Sequence, residues 1–125
     1  MLSLARDSDC LVITCPLVPA TRHLVDSKVL DALGADGFLV NVARGPIVDE
    51  EALIAALREH RIAGAGLDVF RDEPQVPAAL RALDNVVMTP HVGSTTLEIR
   101  EGRKRMVLEN LRAHFAGEPL LSPLP

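Results

Sequence analysis

Gly37-Phe38-Leu39-Val40-Asn41-Val42-Ala43-Arg44-Gly45-Pro46 is the stretch on which the reading of this chain turns. Its first six residues are uncharged and of strand length. The last four bring a guanidinium to a Gly-Pro turn, so the Arg44 side chain is presented at a strand tip. The same design recurs twice downstream. Ile62-Ala-Gly-Ala-Gly-Leu-Asp68-Val69 runs into Phe-Arg-Asp-Glu73-Pro74, and Asn85-Val-Val-Met-Thr89 runs into Pro90-His91-Val-Gly93-Ser94. In an open α/β sheet, ligands bind just outside the carboxyl ends of the strands. An arginine, a glutamate and a histidine are therefore expected at one edge.

Outward from these strands the chain alternates. Cys10-Leu-Val-Ile-Thr-Cys15 is a further strand, stopped by Pro16, and Met1 to Asp9 reads as the tail of a helix. Asp26 or Ser27 can cap a short helix whose Val29, Leu30 and Leu33 share a face, with Gly34 in the left-handed position at its end. Asp49 caps a second helix, with Glu50 and Glu51 in the first turn, where the helix dipole favours negative charge. Leu53, Ile54 and Leu57 form its buried stripe. The small residues of 62–69 would let a helix approach closely, and an apolar turn spans Ala79 to Leu83. Thr95 and Glu98 match the S/T-x-x-E capping box and open the longest helix, with Ile99, Met106, Val107, Leu111 and Phe115 on one side. Gly117 and Pro119 end it, leaving Leu120 to Pro125 as an arm or loose end. The order β-α-β-α-β-(short helix)-β-α predicts right-handed crossovers and a parallel sheet.

Composition agrees. At 125 residues the chain is one domain at most, and its hydrophobic content of 48% with only 2% aromatic residues gives an aliphatic core. That usage suits parallel strands covered on both faces. A net charge of −4, a pI near 5.5 and the absence of a long Lys/Arg run disfavour nucleic acid as a partner. Cys10 and Cys15, five positions apart, point to opposite faces and suggest neither a disulfide nor a CxxC pair. No charged-then-apolar leader and no bilayer-length apolar run is present. The expectation is a soluble cytoplasmic protein with no membrane partner and no metal.

Three side chains carry the chemistry of this reading. The Arg44 fork can grip a carboxylate and polarise an adjacent carbonyl; a lone arginine on a loop would more often be simply solvated. His91 can protonate a carbonyl oxygen, a role that typically contributes ~10²–10⁴ in rate. His23, His60 and His114 flank helices in polar company and receive no role. Glu73 beside an imidazole favours the imidazolium form, although alone it reads as a surface carboxylate. For Asp68, ligand binding and loop capping stand even. Gly64-Ala-Gly66 is not a dinucleotide fingerprint, because the third glycine is lacking and the glycines sit within the strand.

Four segments, in order and over nearly the whole chain, resemble the D-isomer-specific 2-hydroxyacid dehydrogenase family. They are Cys15-Pro-Leu-Val-Pro-Ala-Thr21-Arg-His-Leu, Asn41-Val-Ala-Arg44-Gly-Pro-Ile-Val-Asp49-Glu-Glu-Ala-Leu, Gly66-Leu-Asp68-Val-Phe-Arg-Asp-Glu73-Pro and Pro90-His91-Val-Gly93-Ser94. The glyoxylate/hydroxypyruvate reductase-like branch resembles it most. The resemblance implies hydride transfer between NAD or NADP and a small 2-oxo or 2-hydroxy acid. Arg44 would bind the substrate, His91 would move the proton and Glu73 would be its partner. Cys15, Pro16 and Thr21 would lie near the adenosine side of the cofactor. Val42, Ala43, Gly93 and Ser94, together with Arg44, Asp68 and His91, would lie near the nicotinamide.

The fold so implied is α/β, the C-terminal half of a Rossmann-type doubly wound parallel sheet with about four parallel strands and flanking helices. Residues 1–117 would form a partial NAD(P)-binding domain and 118–125 a tail. Family members carry GxGxxG and a cofactor-selecting residue on upstream strands, so the chain is expected to be truncated. The Cys10–Cys15 strand would then expose an apolar face and an unpaired edge. NAD would bind weakly or not at all, and no NADH oxidation with glyoxylate or hydroxypyruvate is expected from these residues alone. The complete protein is expected to be a homodimer. The alternative is a non-catalytic remnant or interaction module that keeps the half-Rossmann fold.

Overall fold

The computed structural model describes residues 1–123, and the chain divides into two compact units, Met1–His91 and Val92 onward. The first unit holds four parallel strands, β1 (Cys10–Ile13), β2 (Phe38–Asn41), β3 (Gly64–Leu67) and β4 (Val86–Met88), in the spatial order β1-β2-β3-β4. Ile13 pairs with Asn41, Asn41 with Leu67, and Leu67 with Met88. All four carboxyl ends therefore finish level, at one rim. The strands are shorter than the apolar runs in the sequence, and Cys15 lies two residues past the end of β1.

Side chains alternate across each strand. Leu11, Ile13, Leu39 and Leu67 face a core completed by Val29, Leu30 and Leu33 of α2 (Ser27–Leu33) and Leu53, Ala56 and Leu57 of α3 (Glu50–Arg58). Ile54 is half-buried at its margin. A short α1 (Leu2–Arg6) packs on α2 and buries Ala5. The opposite face shows Val12, Phe38 and Val87 to solvent, with exposures of 52, 50 and 72%. Among the described residues β1 is an edge strand.

Both expected caps form. Asp26 accepts from the Val29 N–H at 3.0 Å and Asp49 from the Ala52 N–H at 3.2 Å, each satisfying a donor that the first helical turn leaves free. A parallel bridge between Val25 and Val48 ties the two approaches together. At Gly34 the expectation needs correction: φ is +84° but ψ is 171°, so the residue has positive φ without the left-handed helical turn. The small residues of β3 also serve a second purpose. A Cβ at Gly64 would come within 2.8 Å of the Asn85 carbonyl oxygen and 3.3 Å of the Phe38 ring, and at Gly66 the nearest atoms belong to Val40. Gly64 thus makes room for the neighbouring strand, whereas Ala65 packs into the core shared with α2 and α3. The apolar turn at 79–83 becomes the single turn α4 (Ala78–Arg81).

In the second unit, α5 runs from Leu97 to Ala116. Thr96, not Thr95, caps it, accepting from the Ile99 N–H at 3.3 Å. The Thr95 hydroxyl is engaged one step earlier, donating to the Val92 carbonyl at 2.7 Å in the preceding turn. The apolar residues of this helix, Ile99, Met106, Val107, Leu111 and Phe115, are exposed, and Ala113 is its buried residue. Gly117 ends α5 with φ +70° in the left-handed region. The expected loose arm is tied as far as Ser122, whose hydroxyl and N–H bond the Asn110 side chain at 3.0 and 3.2 Å; the remainder of that arm, Leu124 and Pro125, lies outside the described residues. No helix among those residues is long and apolar enough to cross a membrane, and no cluster of three metal-ligating side chains occurs.

Candidate active site

The rim is built from the three strand ends. At the end of β2, the Asn41 side chain is 1% exposed and uses both its functions on the turn that follows. Its Nδ2 donates to the Arg44 carbonyl and its Oδ1 accepts from the Ala43 N–H, each at 3.1 Å. An Asn that bonds its own downstream backbone makes a turn by itself, and this one sets the path of 42–44 and leaves the Arg44 side chain exposed. The guanidinium leans back on the Ala43 carbonyl at 2.7 Å. A single 3₁₀ turn, Gly45–Ile47, follows. A Cβ at Gly45 would stand 2.1 Å from the carbonyl carbon and oxygen of Phe70. The Arg44 turn thus lies directly against the start of the loop after β3.

That loop carries Glu73, which precedes Pro74 through a cis peptide bond. Its Oε1 accepts from the Phe70 N–H at 3.0 Å, and its Oε2 lies 2.8 Å from His91 Nδ1. The hydrogen bond from His91, and next the one from the Phe70 backbone, hold the Glu73 carboxyl below the usual carboxylate range; the charge on Arg44 adds to this. Glu73 and His91 are in contact, and the charge on Arg44 reaches Glu73. Glu73 and His91 line one hollow of this rim and Arg44 lines another.

His91 has φ +54°, in the left-handed region that non-glycine residues seldom adopt. Its N–H donates back to the Thr89 carbonyl at 3.1 Å, and its ring is 41% exposed. Asp68 is buried. It accepts from the Thr89 hydroxyl at 2.5 Å, and its N–H donates to the Asn41 carbonyl at 3.0 Å. These two bonds link the ends of β2, β3 and β4.

Two hollows flank these groups. A cleft of about 150 Å³ is lined by Phe70, Glu73, Pro74, Val76, Pro90 and His91. An open hollow of about 630 Å³ is lined by Thr14, Cys15, Pro16, Leu17, Val42, Ala43 and Arg44. Four of the expected cofactor residues besides Arg44 are thus gathered at one place. Thr21 is not among them: its hydroxyl donates to the Pro16 carbonyl at 2.7 Å and accepts from the Val18 N–H at 2.9 Å, closing the loop that presents Pro16. Gly93 and Ser94 fall in the second unit, in the turn before α5.

Sequence reasoning passed over Asn41 and Thr89 as site-shaping residues, and gave Glu50 only a helix-dipole role. The signal for Asn41 was available, as the one polar side chain inside an uncharged strand. Thr89 offered none, because its partner Asp68 is 21 residues away.

Residues 1–93 match the family described as D-isomer specific 2-hydroxyacid dehydrogenase, NAD binding domain. The chain is 55% identical over 124 residues to a glyoxylate/hydroxypyruvate reductase of Arabidopsis thaliana, covering 99% of this chain and 40% of the relative. It is 53% identical to a hydroxyphenylpyruvate reductase of Plectranthus scutellarioides, again over 99% of this chain and 40% of the other. The crystal structure of an NADPH-dependent glyoxylate/hydroxypyruvate reductase from Sinorhizobium meliloti, in complex with NADP and malonate, superposes with a TM-score of 0.91 at 43% identity. That match covers 98% of this chain and 39% of the reductase. The chain spans about two-fifths of the length of these relatives.

Proposed function

The chain belongs to the D-isomer specific 2-hydroxyacid dehydrogenase family, and from that premise we propose that its rim residues serve the reduction of a small 2-oxo acid of the glyoxylate or hydroxypyruvate type. The observation that carries the reading is the contact of Glu73 Oε2 with His91 Nδ1, within the field of Arg44. The residues also fit part of a nicotinamide dinucleotide, with Cys15 and Pro16 toward its adenosine side and Val42 and Ala43 toward its nicotinamide. Pro16, Leu17, Val42 and Ala43 supply an apolar wall, with Thr14 and Arg44 as polar groups at the same hollow. When bound, NADH or NADPH supplies a hydride to the carbonyl carbon of the substrate.

The chain's own residues do the rest. Arg44 presents a planar fork to the substrate carboxylate and carbonyl oxygen, a bidentate grip that an ammonium cannot reproduce. Glu73 occupies His91 Nδ1, which fixes the ring and directs Nε2 toward the substrate. From Nε2, His91 delivers a proton to the carbonyl oxygen in reduction and takes it back in oxidation. Asp68, Gly93 and Ser94 belong on the nicotinamide side of this reading, Thr21 on the adenosine side, and the working assembly is a homodimer of the complete protein.

The test replaces the matching portion of the Sinorhizobium meliloti reductase with this chain. The chimera is expected to oxidise NADPH with glyoxylate or hydroxypyruvate, and His91→Ala within it to lower turnover by about 10²–10⁴ while cofactor binding persists. Turnover unchanged by the substitution would remove the proton-transfer role.

A further inference from the structure

Glu50 and Glu51 stand side by side at the start of α3, and both satisfy the helix dipole, yet the structure treats them differently. The Glu51 side chain is 83% exposed and the Glu50 side chain 9%. Burying a carboxylate is costly unless its oxygens are bonded, and a first-turn charge does not need burial to act on the dipole. What Glu50 gains is the loop after β3. Its Oε2 accepts from the Arg71 N–H at 3.3 Å, and its Oε1 lies 3.7 Å from Arg71 Nε. The preceding N–H, that of Phe70, goes to Glu73. Two successive backbone amides are therefore held by two carboxylates, one from α3 and one from the loop itself. Beneath the same peptide lies Gly45, with no room for a Cβ.

We propose that Glu50 is a positioning residue: by holding the Arg71 amide it clamps the Phe70–Arg71 peptide onto the Gly45 turn and so fixes where Glu73 meets His91. This rests on the dehydrogenase reading for its purpose, but the clamp is a property of the chain and is measurable without substrate or cofactor. Arg71 is itself held by Asp72 first, with Glu50 and Glu51 adding to it. Its guanidinium stays paired if Glu50 changes, so the backbone bond is the specific link.

The test is NMR on the full chain carrying Glu50→Asp and, separately, Glu50→Gln. Aspartate keeps the first-turn charge but is too short to reach the Arg71 amide; glutamine keeps the acceptor and loses the charge. In Glu50→Asp, exchange of the Arg71 and Phe70 amides is expected to quicken about tenfold or more. The His91 imidazole ¹⁵N shifts, read at alkaline pH, are expected to move away from the Nδ1–H form that Glu73 selects, with the strand amides unchanged. In Glu50→Gln both reporters are expected to stay as in the parent chain. Three results would overturn the proposal: Asp behaving as the parent, Gln releasing the Arg71 amide, or the strand amides losing protection in step with Arg71. Should Asp fail to fold, Glu50→Ala takes its place: quicker Phe70 and Arg71 exchange over unchanged strand amides supports the clamp, and parent-like exchange overturns it.

Discussion

At Asn41 a carboxamide stands where an apolar side chain would complete the strand, and both of its ends are spent on the next three residues. A buried amide left unpaired is costly, so its bonds and the Arg44 turn stand or fall together. Glu73 is a second such point. Its folded-state pKa lies below its ordinary value, through His91 first and the Phe70 amide next. It therefore contributes stability that is present above the unfolded pKa of about 4.3 and is lost as pH falls through the lowered folded value. In urea unfolding, Glu73→Gln is expected to shrink the stability difference between neutral and acid pH, by under about 1 kcal/mol because solvent screens so exposed a pair. An unchanged difference would mean the pair is not formed in solution. In the chimeric enzyme, Arg44→Lys is expected to raise KM for the 2-oxo acid several-fold or more, as the fork becomes a point charge; an unchanged KM would place the carboxylate elsewhere. Arg44, Glu73 and His91 were legible as residue types at strand ends. Asn41 was legible too, as the one polar side chain in an uncharged run, but what its two ends bond was not.

Between elements, the close contact is that of the Gly45–Ile47 turn with the loop after β3. Gly45→Ala would drive a methyl into the Phe70 backbone, which has no flexible side chain to yield. It is expected to cost about 1–3 kcal/mol and to loosen Glu73 from His91, seen as altered His91 imidazole shifts and a lower urea midpoint. Parent-like behaviour in both would mean the two loops do not touch. Helix starts were readable where an acid precedes an apolar run, as at Asp26 and Asp49. The α5 cap was misassigned by one residue because Glu98 completes the capping-box spacing with Thr95, whereas the Thr95 hydroxyl is spent on the Val92 carbonyl and leaves Thr96 as the cap. The apolar residues of α5 have helical spacing, which records a surface suited to burial but not whether anything in this chain covers it.

For the molecule as a whole, the level ends of β2, β3 and β4 place the loop residues at one rim, and this depends on register. Leu39 sits fully buried in β2, between Leu11 of β1 and Ala65 of β3 in the pairing. Leu39→Ala is expected to cost about 2–5 kcal/mol, lowering the urea midpoint followed by far-UV circular dichroism. Hydrogen exchange should quicken across all four strands together, because they share that core. Loss confined to β2 would mean that the sheet is not one cooperative unit.

The sequence by itself determined the alternation of strands and helices, the parallel sheet, the helix caps that rest on a single acid, and the candidate rim residues. Each of these follows from local chemistry: strand-length apolar runs, prolines that stop them, and charges placed just beyond. Only the tertiary structure decided that Glu73 meets His91, that Asp68 is bonded to Thr89, and that Glu50 is buried against Arg71. Those pairings join residues 18 to 21 positions apart. No local preference encodes such a distance; it is set by the register of parallel strands, which exists once the sheet has formed.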